Sequence, residues 1–138
     1  MDGEKIIKYL TKRIGQIAKK YDFIYVIIYG SLVEGRYVEG ESDIDIAIKI
    51  KNAPRGGKNI FKLLADLVSD IGIDNIDIII LNNCDPIIRF EVLINGVLIY
   101  CIDEEEYYSD VIKSLKWYDD WRYIEKSFME RELKWVKS

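Results

Sequence analysis

The sequence contains no histidine. That absence removes the commonest general base, the usual nucleophilic triads and histidine-based zinc sites, so any chemistry has to rest on carboxylates and metal. Its two cysteines, Cys84 and Cys101, match neither a metal-ligand spacing nor a secreted disulfide framework. Both lie beside apolar runs, which predicts buried free thiols. No stretch is long and apolar enough to span a bilayer. The N-terminus, Met1-Asp2-Gly3-Glu4, lacks the basic and apolar regions of a signal peptide. The expectation is a cytoplasmic protein with no membrane partner. Basic clusters are missing as well: the net charge is −4, and lysine and arginine are dispersed. A footprint that neutralises many phosphates is therefore absent, which argues against nucleic acid as the main partner. Internal repeats and low-complexity segments are also lacking.

What is present is one domain's worth of chain, residues 1–138, with the apolar and charged fractions of a globular protein. Its most informative stretch, residues 30–46, reads GSLVEGRYVEGESDIDI. An apolar run, Phe23 to Tyr29, stops at Gly30-Ser31, and a new run opens with Asp43-Ile44-Asp45 after a loop. Strand side chains alternate between faces, so Asp43 and Asp45 share one face while Ile44, Ile46, Ile48 and Ile50 share the other. Two neighbouring carboxylates repel each other unless a cation sits between them. Hard oxygen donors of this kind suit magnesium, which keeps several waters and shares its shell with substrate phosphates. Glycine lets the backbone approach a phosphate closely, so the Gly30-Ser31 turn is the matching anion site. Asp-Ile-Asp-Ile alone is what any half-exposed strand shows. The third carboxylate, Asp77 in the apolar run Asn75 to Leu81, distinguishes this case. Burying it unpaired would cost on the order of several kcal/mol, so it too calls for a cation.

Helical spacing of Ile6, Ile7, Leu10, Ile14, Ile17 and Ala18 predicts an amphipathic helix ending near Lys20 and packing on the sheet. The Phe23–Tyr29 run suits a strand covered on both faces. After Ser31 a short helical turn should give way to a mobile loop, a lid, leading to the Asp43 strand. Residues 51–57 read as a connection. Ile60, Leu64, Leu67 and Ile71 mark a second helix stopped by Gly72. The Asp77 strand follows. The short link between the first two strands suits an antiparallel pair in a mixed sheet. Asp85-Pro86 opens a helix that runs to Asn95-Gly96, and Val97 to Ile102 form a short strand. Asp103-Glu104-Glu105-Glu106 caps a long final helix with Val111, Leu115, Tyr118, Trp121, Ile124 and Phe128 in one seam. The fold class is thus α/β (α+β): a small mixed sheet flanked by helices, with 1–102 as a catalytic core and 103–138 as a C-terminal helix.

Gly-Ser, a short loop, then Ser-Asp-x-Asp with apolar alternation resembles the minimal (MNT) branch of the polymerase beta-like nucleotidyltransferase superfamily. The resemblance covers most of the chain. It implies that Gly30 and Ser31 hold the nucleoside triphosphate. Asp43, Asp45 and Asp77 would bind two magnesium ions and be the catalytic residues. Two metals roughly 3.5–4 Å apart clamp the attacking and leaving oxygens of an in-line displacement at phosphorus, so no protein nucleophile is required. Asp77 would then take the acceptor proton. The chain departs from the family at two places. Eleven residues separate Ser31 from Asp43, one more than the usual ten, and Glu34 stands where the Gly-Ser-x-x-Arg-Gly pattern has arginine. An acid there repels a triphosphate. Arg36 can either replace that arginine or be an ordinary solvated side chain.

Members of this branch include antitoxins paired with HEPN-domain toxins. The resemblance implies transfer of AMP from ATP to a tyrosine hydroxyl of a small HEPN-type partner. The chain is short for an enclosed antibiotic pocket, and it lacks a basic groove. Trp117, Tyr118, Trp121, Tyr123, Phe128 and Trp135 exceed what one helix face can bury, so part of that helix is expected to dock the partner. Two alternatives compete: a docking module that keeps the fold without turnover, marked by Glu34, and a small-molecule transferase of the aminoglycoside type.

Overall fold

In the computed structural model, residues 2–137 are described, with side chains through residue 134. Trp135, the expected end of the aromatic helix, has its side chain outside that range.

The chain opens with α1 (Gly3–Tyr21), whose N-cap Asp2 accepts a hydrogen bond from the Lys5 amide at 2.9 Å. The cap satisfies one of the amides that the first helical turn leaves unpaired. The α1 face bearing Ile6, Leu10, Ile14, Ile17 and Ala18 is buried, as the spacing predicts. Strand β1 (Phe23–Tyr29) is buried over six of its seven residues, because it lies inside the sheet with a layer on either face. Strand β2 (Ile44–Ile50) pairs antiparallel with it, Tyr29 opposite Asp45 and Ile28 opposite Ile46. The register slips between Phe23 and Tyr25, so Ile24 and Tyr25 fall on the same side. Helix α2 (Gly57–Ile71) ends at Gly72, which takes the left-handed cap with φ 78°. Strand β3 (Ile76–Ile80) then runs parallel to β2, and α3 (Pro86–Asn95) starts on the Asp85 cap with proline in its first turn. Strand β4 (Val97–Cys101) pairs antiparallel with β1. The order is β3-β2-β1-β4, a mixed sheet.

Two cores flank this sheet. On one face α1 and α2 pack over Val26, Ile28, Ile44, Ile46, Ile48, Ile50 and Ile78. On the other, α3 and the start of the last helix cover Ile24, Tyr25, Ile27 and Ala47. The last helix, α4 (Glu104–Lys137), is 34 residues long and starts on Asp103, which accepts from the Glu106 amide.

Three expectations need correction. Asp77 is exposed: β3 is an edge strand, so its flank is open and the expected burial cost does not arise. Along α4 the buried stripe is not the seam from Val111 to Phe128. Tyr107, Val111 and Ser114 face the body, whereas Leu115, Trp121, Ile124 and Phe128 are exposed, because packing follows where α3 crosses rather than the densest apolar line. The cysteines are free but half-buried rather than buried. Among the described residues no helix is long and apolar enough to cross a membrane.

Candidate active site

At the end of β1 the backbone turns through Gly30–Leu32, a single 3₁₀ turn. Gly30 has φ 78°, a left-handed conformation that side chains other than glycine's adopt at a cost. It is also held against the neighbouring strand: a Cβ at Gly30 would collide with the Asp45 Oδ2 and lie 3.2 Å from its Cγ. The glycine therefore brings bare backbone directly beside a carboxylate. The Gly30 carbonyl accepts from the amides of Val33 at 3.1 Å and Glu34 at 3.0 Å, and the Ser31 carbonyl accepts from the Arg36 amide at 2.9 Å.

The carboxylates assemble through strand register. Asp45 on β2 stands opposite Tyr29 on one side and opposite Asp77 of parallel β3 on the other. Asp43 immediately precedes β2. Alternation puts Ile44, Ile46, Ile48 and Ile50 in the core, leaving Asp43 exposed and Asp45 half-buried on the opposite face. Partial burial, then the charges of Asp77 and Asp43, raise the Asp45 pKa above the ordinary carboxylate value. Among the described residues no lysine or arginine pairs with any of the three. The structure thus brings Asp43 and Asp77 within the field of Asp45, which itself lies against Gly30.

Two side chains lie here that the sequence reading did not include in the site: Tyr29, and Glu91, which could equally be functional or an ordinary solvated helix face. Burial, then the charges of Asp45, Asp77 and Glu91, push the Tyr29 phenol well above its ordinary value, which places Glu91 of α3 at the same end of the sheet. The hairpin pairing of β1 and β2 could have revealed Tyr29. Nothing local signals Glu91. Helix α3 ends in a close approach to β1: a Cβ at Gly96 would lie 3.0 Å from the Ile28 carbonyl.

The loop from Val33 to Ser42, expected as a mobile lid, carries hydrogen bonds at its C-terminal end. The Ser42 hydroxyl accepts from the Val38 amide at 3.0 Å, and Asn75 Nδ2 donates to the Ser42 carbonyl at 3.0 Å. Glu34 is paired with Arg36, whose Nε donates to Glu34 Oε2 at 3.0 Å, so its charge does not stand alone.

The family described as polymerase beta, nucleotidyltransferase matches residues 4–105. The chain belongs to that family. The match takes in all four strands and every site residue described above. Its C-terminal limit falls where α4 begins. Among curated proteins no match is found. Among solved structures, a chain of a toxin–antitoxin complex with AMP-PNP superimposes with a TM-score of 0.69 at 15% identity, covering 89% of this chain and 98% of that one. A chain of the MntA-HepT toxin–antitoxin gives 0.63 at 15%, covering 91% and 98%. A complex of tri-AMPylated Shewanella oneidensis HEPN toxin with MNT antitoxin gives 0.57 at 17%, covering 95% of each chain. At these identities the likeness is one of fold.

Asp45 is repelled by Asp77 and Asp43, and among the described residues no lysine or arginine is paired with them, so the donors are of the hard oxygen type that divalent ions such as magnesium prefer. Among the described residues no three such groups are gathered into a ready-made metal cage. Magnesium is usually completed by waters and substrate phosphates rather than held in an all-protein cage.

Proposed function

We propose that this nucleotidyltransferase transfers AMP from ATP to a hydroxyl, a tyrosine, of a HEPN-type partner protein, acting in the cytoplasm as the antitoxin of the pair. The observation that carries the reading is the register Tyr29–Asp45–Asp77, which sets two carboxylates side by side beside the Gly30 turn. The relatives support the rest: one was solved with AMP-PNP, and another holds an AMPylated HEPN toxin beside an MNT antitoxin.

Asp43, Asp45 and Asp77 would hold two magnesium ions, which when bound offset phosphate charge and activate the acceptor hydroxyl. Gly30, which has no side chain, and Ser31 would present backbone to the triphosphate. The acceptor oxygen attacks the α-phosphorus, the bond to the bridging oxygen breaks, and pyrophosphate leaves with the electron pair. Asp77, exposed on the edge strand, takes the hydroxyl proton and passes it to water. The exposed second half of α4, with Trp121, Ile124 and Phe128, meets the partner.

The docking-only alternative was motivated by Glu34, whose charge is partly offset by its exposed pair with Arg36. The test is incubation of the chain with a co-expressed HEPN-type protein, ATP and magnesium, followed by intact-mass measurement. An AMP-sized increment on a partner tyrosine is expected. A stable complex whose partner gains no mass would leave only the docking module.

A further inference from the structure

The side-by-side row of Tyr29, Asp45 and Asp77 ends at β3, the edge of the sheet. Between β2 and β3 the Ile44 amide donates to the Asn75 carbonyl at 2.7 Å. Parallel pairing alternates from there, so Asp77 and Ile79 turn their backbone groups toward β2, whereas Ile76, Ile78 and Ile80 turn theirs outward. Among the described residues no loop or helix backbone bonds to those outward groups. Edge strands are ordinarily blunted by a bulge, a proline or a lysine, and β3 has none of these. Its pairing runs without a slip, unlike both pairings of β1. Its one charged residue is Asp77 itself.

Beside this edge lies a groove of about 530 Å³, lined by Ile60 and Leu64 of α2, Ile78 and Ile80 of β3, and Pro54 and Arg55 of the connection before α2. Asn83 Nδ2 donates to the Pro54 carbonyl at 3.4 Å, which sets that connection at the C-terminal end of β3. Ile78 and Ile80 point to the face away from Asp77. A strand laid along β3 therefore sends alternate side chains to two places, the apolar groove and the carboxylate face. Arg55 is exposed at the groove, and among the described lining residues no acid accompanies it.

We propose that the acceptor is an extended segment that adds to β3 as an antiparallel fifth strand, with its tyrosine opposite Asp77. In strand addition main-chain bonds supply affinity and pockets for alternate side chains supply specificity. Asp77 turns no backbone group outward, so its pair with the tyrosine is the non-hydrogen-bonded kind, in which side chains come closest. The residues on either side of the tyrosine exchange hydrogen bonds with Ile76 and Ile78 and carry aliphatic side chains into the groove. The third residue before it lies opposite Ile80 and is acidic, to meet Arg55. The tyrosine oxygen bonds the α-phosphorus of ATP, pyrophosphate leaves with the electron pair, and the phenolic proton goes to Asp77 and on to water. A second copy of the chain fits this edge worse, since pairing β3 with itself brings two sets of carboxylates together. The proposal rests on the transferase reading and adds the form of the acceptor.

The probe is a capped peptide, Glu-Thr-Val-Tyr-Val-Thr, incubated with the full chain, ATP and magnesium. Hydrogen exchange should slow in residues 76–80, and intact mass should show an AMP-sized increment on the peptide. N-methylation of the valine before the tyrosine removes an amide that pairs with Ile78 and should weaken binding by about tenfold. N-methylation of the tyrosine, whose amide points away from β3, should change binding by less than about twofold. Arg55→Glu should weaken binding by about threefold and restore it when lysine replaces the peptide's glutamate. Equal losses from the two N-methylated peptides would overturn the strand geometry. AMP transfer, to the peptide or to a co-expressed HEPN-type protein, with unchanged exchange in 76–80 would overturn the edge as the acceptor site and leave the transferase reading standing. Slowed exchange without an AMP increment on the peptide would overturn the acceptor role. Transfer to neither peptide nor protein would overturn the transferase reading and this proposal with it.

Discussion

Strand β2 carries Asp45 and Lys49 on the same face, roughly 13 Å apart, and the fold treats the two charges in opposite ways. Lys49 is met by Asp110 of α4 at 3.1 Å, and the Tyr25 hydroxyl donates to the same Asp110 oxygen at 2.7 Å. Those two charged side chains are only 18% and 13% exposed. Burial first and the bond to Asp110 second hold the Tyr25 phenol far above its usual pKa. Every polar group there has a partner, and the cluster fastens the long helix to the sheet. At the other end of β2, Asp45 has only like-charged neighbours. One end of the strand is therefore built for stability, and the other keeps a repulsion that a bound cation would relieve.

Asp45→Asn should break this contrast most. Transfer should fall by at least about 10²- to 10³-fold, the scale of losing one preorganised electrostatic contact, in a mass-based AMPylation assay. Stability without metal should rise slightly. A carboxyl whose folded pKa is raised is neutral in effect below its unfolded value, about 4, and becomes destabilising as pH rises through the folded value. Hence the stability gain of Asp45→Asn should appear near neutral pH and vanish in acid. Magnesium-ATP should raise the melting temperature of wild type but not of the variant. Asp110→Ala should do the reverse, costing about 3 kcal/mol in chemical denaturation, because it strands Lys49 and Tyr25 in a largely buried place. A loss under about 1 kcal/mol would mean that the partnered end is not built for stability.

The unpaired end was legible in the sequence and the paired end was not. Asp43 and Asp45 could be read because two-residue alternation is a local rule, and Gly30 because a glycine after a buried strand has few other uses. Asp77 does stand opposite Asp45, but the burial expected of it was wrong, since the edge position of β3 is a property of the whole sheet. Lys49, Asp110 and Tyr25 come from three elements up to 85 positions apart, and no local pattern joins them. The same limit left Glu91 undecided between a functional residue and a solvated helix face, and turned the buried stripe of α4 away from its most apolar line.

Gly30→Ala should sharpen the contrast by moving the repelling carboxylate rather than removing it. The left-handed φ of 78° costs an alanine about 1–2 kcal/mol, and its methyl also runs into Asp45. Adding Asp45→Ala should relieve the collision but not the backbone strain. A double-mutant cycle measured by denaturation should therefore be less than additive, the two sites being in contact. Additivity would place the Asp45 carboxylate elsewhere.

The smallest stability effect is expected on α4, whose two halves repeat the contrast. The first half is anchored: Tyr107 meets the Tyr25 ring edge-on at 5.2 Å, Ser114 is 4% exposed, and Tyr118 stacks on Phe90 at 4.2 Å. In the second half Ile124 is 64% and Phe128 52% exposed, so both already sit mostly in water. Truncating them removes little buried area, and Phe128→Ala should leave the denaturation midpoint within about 0.5 kcal/mol of wild type. Val92→Ala, on the fully buried inner face of α3, should cost more, about 1 kcal/mol or above. If the exposed stripe is where the partner sits, the same Phe128→Ala should weaken capture of a HEPN-type protein by about tenfold, since buried aromatic anchors carry a large part of interface energy. A stable variant with unchanged capture would move the docking surface off α4, and a large stability loss would show that the stripe packs against this chain's own body.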